Sequence, residues 1–294
     1  MELKTLKLKS KSELIQICKN KNLKGYSKFN KNELIKHIKT YNKKGAGEHN
    51  SKHKFKSNNE LKKIVNIYHI LILQKKDNRA DKGYMVETSA KFIQIDFKKY
   101  LEKKQNSYEK THNVFKIHIN YIIDYYGEIS EWDVSSITNM NELFARKSSF
   151  NEDISKWDVS SVQEMKNMFA YASSFDQSLN SWDVSSVNDM QNMFDNASSF
   201  NHPLDLWNVS SVTDMSSMFL DANSFDQSLN SWDVSRVTTM EAMFYFASYF
   251  NQPLNSWDVS SVTNMSGMFA QAHLFDQPLN LWDVSSVNDM SGMF

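Results

Sequence analysis

The chain has 294 residues, 40% of them hydrophobic and 23% charged, an ordinary globular composition that excludes disorder throughout. Its single cysteine, Cys18, excludes an internal disulfide framework and a cysteine-only zinc site. The formal net charge of zero hides a strong asymmetry: residues 1–63 carry 18 Lys against 5 acidic residues, 64–128 carry 11 basic against 8 acidic, and 129–294 carry 5 basic against 21 acidic. A basic head on an acidic body implies a polyanionic partner for the head.

The first residues, Met1 to Lys11, are lysine-rich with no apolar region behind them, and no stretch anywhere reaches about 18 apolar residues. Neither a secretory signal nor a membrane span is expected. The expected location is cytoplasmic or nuclear, with a surface or virion location as the alternative if another route delivers the chain.

Residues 10–38 carry two helical patterns. Ser10-Lys-Ser-Glu13 matches a capping box, in which the first side chain and the fourth satisfy each other's backbone amides. Leu14, Ile15, Ile17 and Cys18 follow it. Asn30-Lys-Asn-Glu33 repeats the signal ahead of Leu34, Ile35 and Ile38, and Asn22-Leu-Lys-Gly25-Tyr-Ser forms the turn between. This reads as a small helical hairpin.

The string SKSELIQICKNKNLKGYSKFNKNELIKHI resembles the SAP-motif family of DNA-binding hairpins or the related Rho N-terminal-like fold. It departs at Asn22, where a Gly often precedes the linker Leu, and at Ser27-Lys28-Phe29 in place of a Gly-x-Lys turn. The resemblance implies that Lys24, Tyr26, Lys28 and Lys31 lie near DNA or RNA phosphates. Such contacts give salt-dependent binding with little sequence preference. The competing reading is a solvated lysine face with no ligand. A third is that the head docks on the acidic repeats of its own chain or a neighbour.

The expected boundaries are 1–42 for the basic hairpin, 43–58 for a polar linker containing Gly45 and Gly47, 59–128 for a helical middle segment, and 129–294 for a repeat array. Within the middle, Ile64 to Leu73 reads as a helix or a buried strand, and Lys91 to Lys104 as a helix. A helix from about Tyr108 to Tyr126, with Val114, Ile117, Tyr121, Ile122 and Tyr125 on its apolar side, is expected to cap the array. The segment has no function legible in it.

All seven Trp, from Trp132 to Trp282, fall 25 residues apart, and Phe150, Phe175, Phe200, Phe225, Phe250 and Phe275 keep the same step. Thirteen of the fifteen Met lie in the array. Such periodicity marks a repeat architecture. In one unit, Leu254, Trp257 and Val259 match the LxxLxL strand signature of leucine-rich repeats, and Met265, Met268, Phe269 and Ala272 fall on one helical face. Thr263 or Asn264 would cap that helix, and Asp189, Asp214 and Asp289 would sit at helix starts. The expected fold is an α/β repeat solenoid, leucine-rich-repeat-like, with 25-residue units of a short strand, a turn and a short helix or 3₁₀ segment, preceded by small all-α N-terminal segments. One unit cannot bury its apolar face alone, so neighbours must stack into a continuous core.

The unit WDVSSVTxMxxMFxxAxxF resembles the BspA-like leucine-rich repeat family, also catalogued as DUF285 or the mycoplasma-type lipoprotein repeat. The segment Tyr125-Tyr-Gly127-Glu-Ile-Ser-Glu-Trp132 resembles the YGxIxxWDVS entry to such arrays. The resemblance covers about 165 residues from near 129 onward. It implies a surface for adhesion or protein–protein contact, commonly on secreted bacterial proteins. The chain departs from it by lacking a secretion signal, and arrays without one are familiar in large DNA viruses and protists. The last residues, Met293-Phe294, stop inside a repeat with no polar cap, which suggests truncation or self-association through the exposed last coil.

Equivalent positions should align as columns. Asp133, Asp158, Asp183, Asn208, Asp233, Asp258 and Asp283 form one. It reads either as an acidic strip or as a row of Asx-turns, and Asn208, which bonds without charge, favours the turns. One carboxylate per coil does not make a calcium site. Asn151, Asp176, Asn201, Asp226, Asn251 and Asp276 alternate in a second, structural column. The expected protein-interaction face comprises Asp183, Leu206, Asn208, Asp233, Arg236, Asp258, Leu281 and Asp283, with Ser181, Ser231 and Ser256 between. Leu206 and Leu281 are apolar where neighbouring units carry Ser. The partner is a protein of unknown identity.

No P-loop, GxGxxG, HExxH or GxSxG is present. His202 and His273, the two histidines within the array, keep no register. Ser and Asp recur identically in every unit, whereas catalysis needs one unique constellation. No enzyme activity, cofactor or metal is expected.

Overall fold

A 25-residue unit too short for long helices or strands must satisfy its backbone amides against its neighbours. Residues 126–294 do so in the computed structural model, which describes residues 10–20, 30–35, 53–76 and 126–294. The chain divides into two units, 1–52 and 53–294.

In the first unit, α1 (Lys11–Asn20) and a helical turn over 31–35 are described. Both capping boxes form. The Ser10 amide donates to Glu13 Oε2 at 2.7 Å, and the Glu13 amide donates to Ser10 Oγ at 3.3 Å. Asn30 and Glu33 repeat the exchange at 2.7 and 3.0 Å. Leu14 and Cys18 of α1 are buried with Leu34 and Ile35. Burial pushes the Cys18 thiol pKa up.

In the second unit, consecutive repeats are joined by parallel bridges at Asn139–Glu164, Glu164–Asp189, Asp189–Asp214, Asp214–Thr239, Thr239–Asn264 and Asn264–Asp289. These sit five residues beyond the Trp-x-Val segment, where the strand was expected. That segment is instead a turn, closed at Trp257 by its amide on the Leu254 carbonyl at 3.1 Å. The indole takes over the contact between coils: Trp157, Trp182, Trp207, Trp232, Trp257 and Trp282 each donate Nε1–H to the carbonyl of the residue 28 positions earlier, at 2.7–3.1 Å. A buried indole needs such an acceptor.

No α-helix forms in the repeat either; of the expected helix or 3₁₀ segment only single turns closed three residues back remain. Over residues 142–147, alternate amides point along and across the array. Glu142, Phe144 and Arg146 donate to the next coil, at Lys166, Met168 and Ala170, at 2.7–2.9 Å. Leu143, Ala145 and Lys147 donate three residues back within their own coil. The alternation requires a left-handed backbone at two positions per coil, with φ of 58° at Glu142 and 60° at Arg146. An α-helix would satisfy the amides within one coil and leave the next unpaired. Asp189, Asp214 and Asp289 are therefore bridge residues, whose side chains accept the amide two residues on at 2.8–2.9 Å.

Each interior coil buries nine recurring apolar side chains, in one coil Phe150, Ile154, Trp157, Val159, Val162, Met165, Met168, Phe169 and Ala172. Phe rings run in register through the core. Phe169, Phe194, Phe219, Phe244 and Phe269 stack at 5.5–5.6 Å.

The first coil is covered by residues 53–76. Lys54 bridges Asp133 in parallel, and the Phe55 amide donates to the Asp133 carbonyl at 3.0 Å. Residues 53–57, read from sequence as the end of the linker, thus extend the array. Phe55 is fully buried against Tyr126 and Trp132. The adjoining α2 (Asn58–Lys76) adds Leu61, Ile64, Val65 and Ile67 to the same core, so the middle segment's first element is a helix. Of the expected cap near 108–126, only Tyr126 is described; the 91–104 helix also lies outside the described residues.

Candidate binding surfaces

Of the residues expected near phosphate, Lys24, Tyr26 and Lys28 lie outside the described residues. Lys31 is exposed in the first turn of the 31–35 helix. The head residues described thus supply the hairpin's small core and its two caps.

The Asp column is spent mainly on local structure. Asp133, Asp158, Asp183, Asp233 and Asp258 each accept from the amide and hydroxyl of the Ser two residues on, at 2.6–3.2 Å. Asn208 accepts the Ser210 amide at 3.1 Å, and Asp283 accepts the Ser285 amide at 3.0 Å with the Ser285 side chain beside it. These are the Asx-turns anticipated. The Ser185 hydroxyl and amide hold the Asp183 carboxyl below its ordinary pKa, and Ser235 does the same for Asp233. The turns leave Asp183, Asn208, Asp233, Asp258 and Asp283 exposed, with Arg236 exposed in the same register. The column can offer charge to a partner with one oxygen of each carboxylate, Oδ1, already engaged in its turn. Among the described residues no cluster of three or more His, Cys, Asp or Glu could hold a metal ion.

Leu206 and Leu281 are 72% and 69% exposed. Their amides donate to Asn180 Oδ1 and Asn255 Oδ1 of the preceding coil, at 3.1 and 3.0 Å. At this column Ser181, Ser231 and Ser256 instead hydroxyl-bond the preceding coil at 2.9–3.0 Å. Three coils separate the two leucines, roughly 14 Å at the spacing of paired strands, so they are two isolated apolar points. The alternating Asn/Asp column is structural, as anticipated: Asp176, Asp226, Asn251 and Asp276 amides donate to the preceding member's side chain at 2.9–3.0 Å.

A surface missed from the sequence lies at the second left-handed position. Arg146, Tyr171, Asn196, Asp221, Phe246 and Gln271 share it, with φ of 52–61°. Arg146 sits over the Tyr171 ring at 5.7 Å. Tyr245 packs edge-on against Phe246 at 4.7 Å. Phe246, Tyr249 and Leu274 are exposed by 42%, 63% and 52%. Other coils carry Ser in place of Tyr249, as at Ser174, Ser199 and Ser224, so comparing the units position by position is the signal that marks it. Beside it, Asp195 is nearly buried; desolvation pushes its carboxyl pKa up, with Asp221 adding to the effect against a hydrogen bond from Asn196.

Among the described residues no helix is long and apolar enough to cross a membrane. No curated protein and no solved structure matches the chain. The model of the Rho termination factor N-terminal domain matches residues 5–47, over the capped hairpin. The model described as Mycoplasma protein of unknown function, DUF285, matches residues 110–230 and again 203–294, taking in every stacked coil. By this match over more than half its length, the chain belongs to the DUF285 family.

Proposed function

We propose that the chain is a non-enzymatic binding protein in which a leucine-rich-repeat-like solenoid presents a protein-binding surface and the basic head contacts nucleic-acid phosphates. The carrying observation is the separation of charge between two structurally different parts. A Lys-rich capped hairpin matches the Rho N-terminal domain, and an acidic array matches DUF285. The array supports a binding role because its interior is filled by side chains, which leaves its exposed positions available for contact. The head supports nucleic acid because Lys24, Lys28 and Lys31 add cations where the acidic array would repel a phosphate backbone.

The test is fluorescence anisotropy of labelled single-stranded RNA and duplex DNA with the full chain, across a salt series. Three phosphate contacts predict a log–log slope of about −2 to −3, the smaller value for single strands. The combined Lys24→Gln, Lys28→Gln and Lys31→Gln variant is expected to lose that binding. Absence of binding at low salt would leave the other reading, a surface or structural repeat protein with adhesion-type protein contacts and no nucleic-acid activity.

A further inference from the structure

The array's core columns repeat closely from coil to coil, whereas the left-handed columns and their neighbours vary, and only around the second of them do exposed aromatic side chains collect. Each residue of that column donates its amide to the next coil at 2.7–2.9 Å, from Arg146 on Ala170 to Phe246 on Ala270. The backbone is the same in every coil, so the side chain can vary without disturbing the stack. It varies in an organised way. The column holds Arg146, Tyr171, Asn196 and Asp221 ahead of Phe246. Beside it, Tyr249 and Leu274 replace the Ser of the four coils before them, and Leu220 and Tyr245 replace Ala145, Ala170 and Asp195, so apolar side chains gather on the later coils while Tyr171 stands alone among the earlier ones.

Two costs accompany this replacement. A left-handed backbone is unfavourable for a residue with a bulky side chain, and Asn196 shows that a cheaper residue fits the same position. Exposed apolar surface, gathered on adjoining coils, gains nothing from water. Neither the core nor the coil-to-coil hydrogen bonds require Phe246 or Tyr249. The adjacent charges are negative: Asp195 and Asp221 lie in the preceding coils and Glu241 in the same one, within an array of 21 acidic and 5 basic residues. Asp195 is largely removed from water and faces Asp221, an arrangement that an incoming cation would relieve.

We propose that this ribbon, centred on Phe246 and Tyr249 and flanked by Asp195 and Asp221, is the docking site for a basic polypeptide segment carrying apolar side chains. The proposal rests on the protein-binding reading of the array and specifies its partner. The aromatic rings take the apolar side chains, and the carboxylates take Lys or Arg. Nucleic acid and anionic lipid are disfavoured here by the same charge that favours the basic segment.

The experiment uses the full chain and, as probe, a short fluorescein-labelled peptide of alternating Lys and Tyr, read by anisotropy. The ribbon variant combines Phe246→Asn, Tyr249→Ser and Leu274→Ser, each the residue that other coils hold at that column, so the coil hydrogen bonds persist. Circular dichroism melts verify that it folds. The control variant combines Leu206→Ser and Leu281→Ser. The expected result is binding by the unaltered chain that weakens about tenfold or more in the ribbon variant, as for removal of aromatic anchors. Binding should also weaken in Asp221→Asn and for a peptide with Ser in place of Tyr, and stay unchanged in the control. No binding by the unaltered chain overturns the proposal, as does equal binding of the Ser peptide, which would leave charge alone as the cause. Binding that survives the ribbon variant but falls in the control overturns the ribbon while leaving the array a protein-binding surface.

Discussion

Lys147 occupies a core column that holds Ala172, Ala197, Ala222, Ala247 and Ala272 in the following coils, and it is only 7% exposed. Burial lowers its pKa from the ordinary 10.5 to about 8, and repulsion from Lys62 adds to the effect. At about 1.4 kcal/mol per pKa unit, the charged form costs the fold on the order of 3 kcal/mol. Lys147→Met keeps the unbranched stem in place and removes the charge, so it should stabilise the array by roughly 1–3 kcal/mol at neutral pH. The sign follows from the proton balance. Below pH 8 the amine is protonated both folded and unfolded, and the full penalty acts. Between pH 8 and 10.5 the unfolded chain holds the extra proton, so the unaltered protein gains stability as pH rises and the advantage of Met shrinks. Urea unfolding of both proteins at pH 7 and again near pH 10 reads this directly. A Met variant no more stable at pH 7, or one whose advantage does not fall by pH 10, would refute the reasoning.

Trp232→Phe removes the indole donor on the Leu204 carbonyl, a contact of 2.9 Å, and leaves a void between coils. It should lower stability by about 2–4 kcal/mol, seen as an earlier urea midpoint. Asp233→Asn keeps the turn that Asn208 makes in the coil before it and should change stability by less than about 0.5 kcal/mol, whereas Asp233→Ala should cost about 1 kcal/mol in the same assay. The Asp183 and Asp233 carboxyls are held below their ordinary pKa of 3.8, so their contribution is present above that value and should fade as pH falls below it. Acid titration followed by Trp fluorescence should show that loss, and the Asp183→Asn, Asp233→Asn double variant should lose less. Glu13→Ala breaks the first capping box and should reduce the stability of the head by about 1 kcal/mol, measured by amide exchange across α1.

The 25-residue step, the buried columns and both capping boxes were legible because each follows from spacing and side-chain chemistry alone. The repeat helix was misread for a physical reason. Met265, Met268, Phe269 and Ala272 fall at helical spacing, but turns closed three residues back produce nearly the same spacing, as at Met268 on Met265 and Ala272 on Phe269. The evidence against a helix lay in the left-handed columns, where Asn167, Asn192 and Gly267 suit positive φ but Glu142, Ser217 and Ala242 conceal it. The strand was misplaced because Trp carries the link between coils with its indole. His53 to Ser57 were hidden in a polar stretch, although Phe55 anchors the end of the array. The ribbon required comparing units at exposed positions, where Phe246 and Tyr249 stand out against Asn196 and Ser199.

The separation of the two binding surfaces is tested by following both partners on one molecule. Labelled RNA and the Lys–Tyr peptide, carrying different fluorophores, are titrated onto the full chain, the head variant with Lys24, Lys28 and Lys31 changed to Gln, and the ribbon variant. A double dissociation is expected: the head variant loses RNA and keeps the peptide, and the ribbon variant keeps RNA and loses the peptide. Either variant losing both ligands, or both variants keeping both, would contradict it.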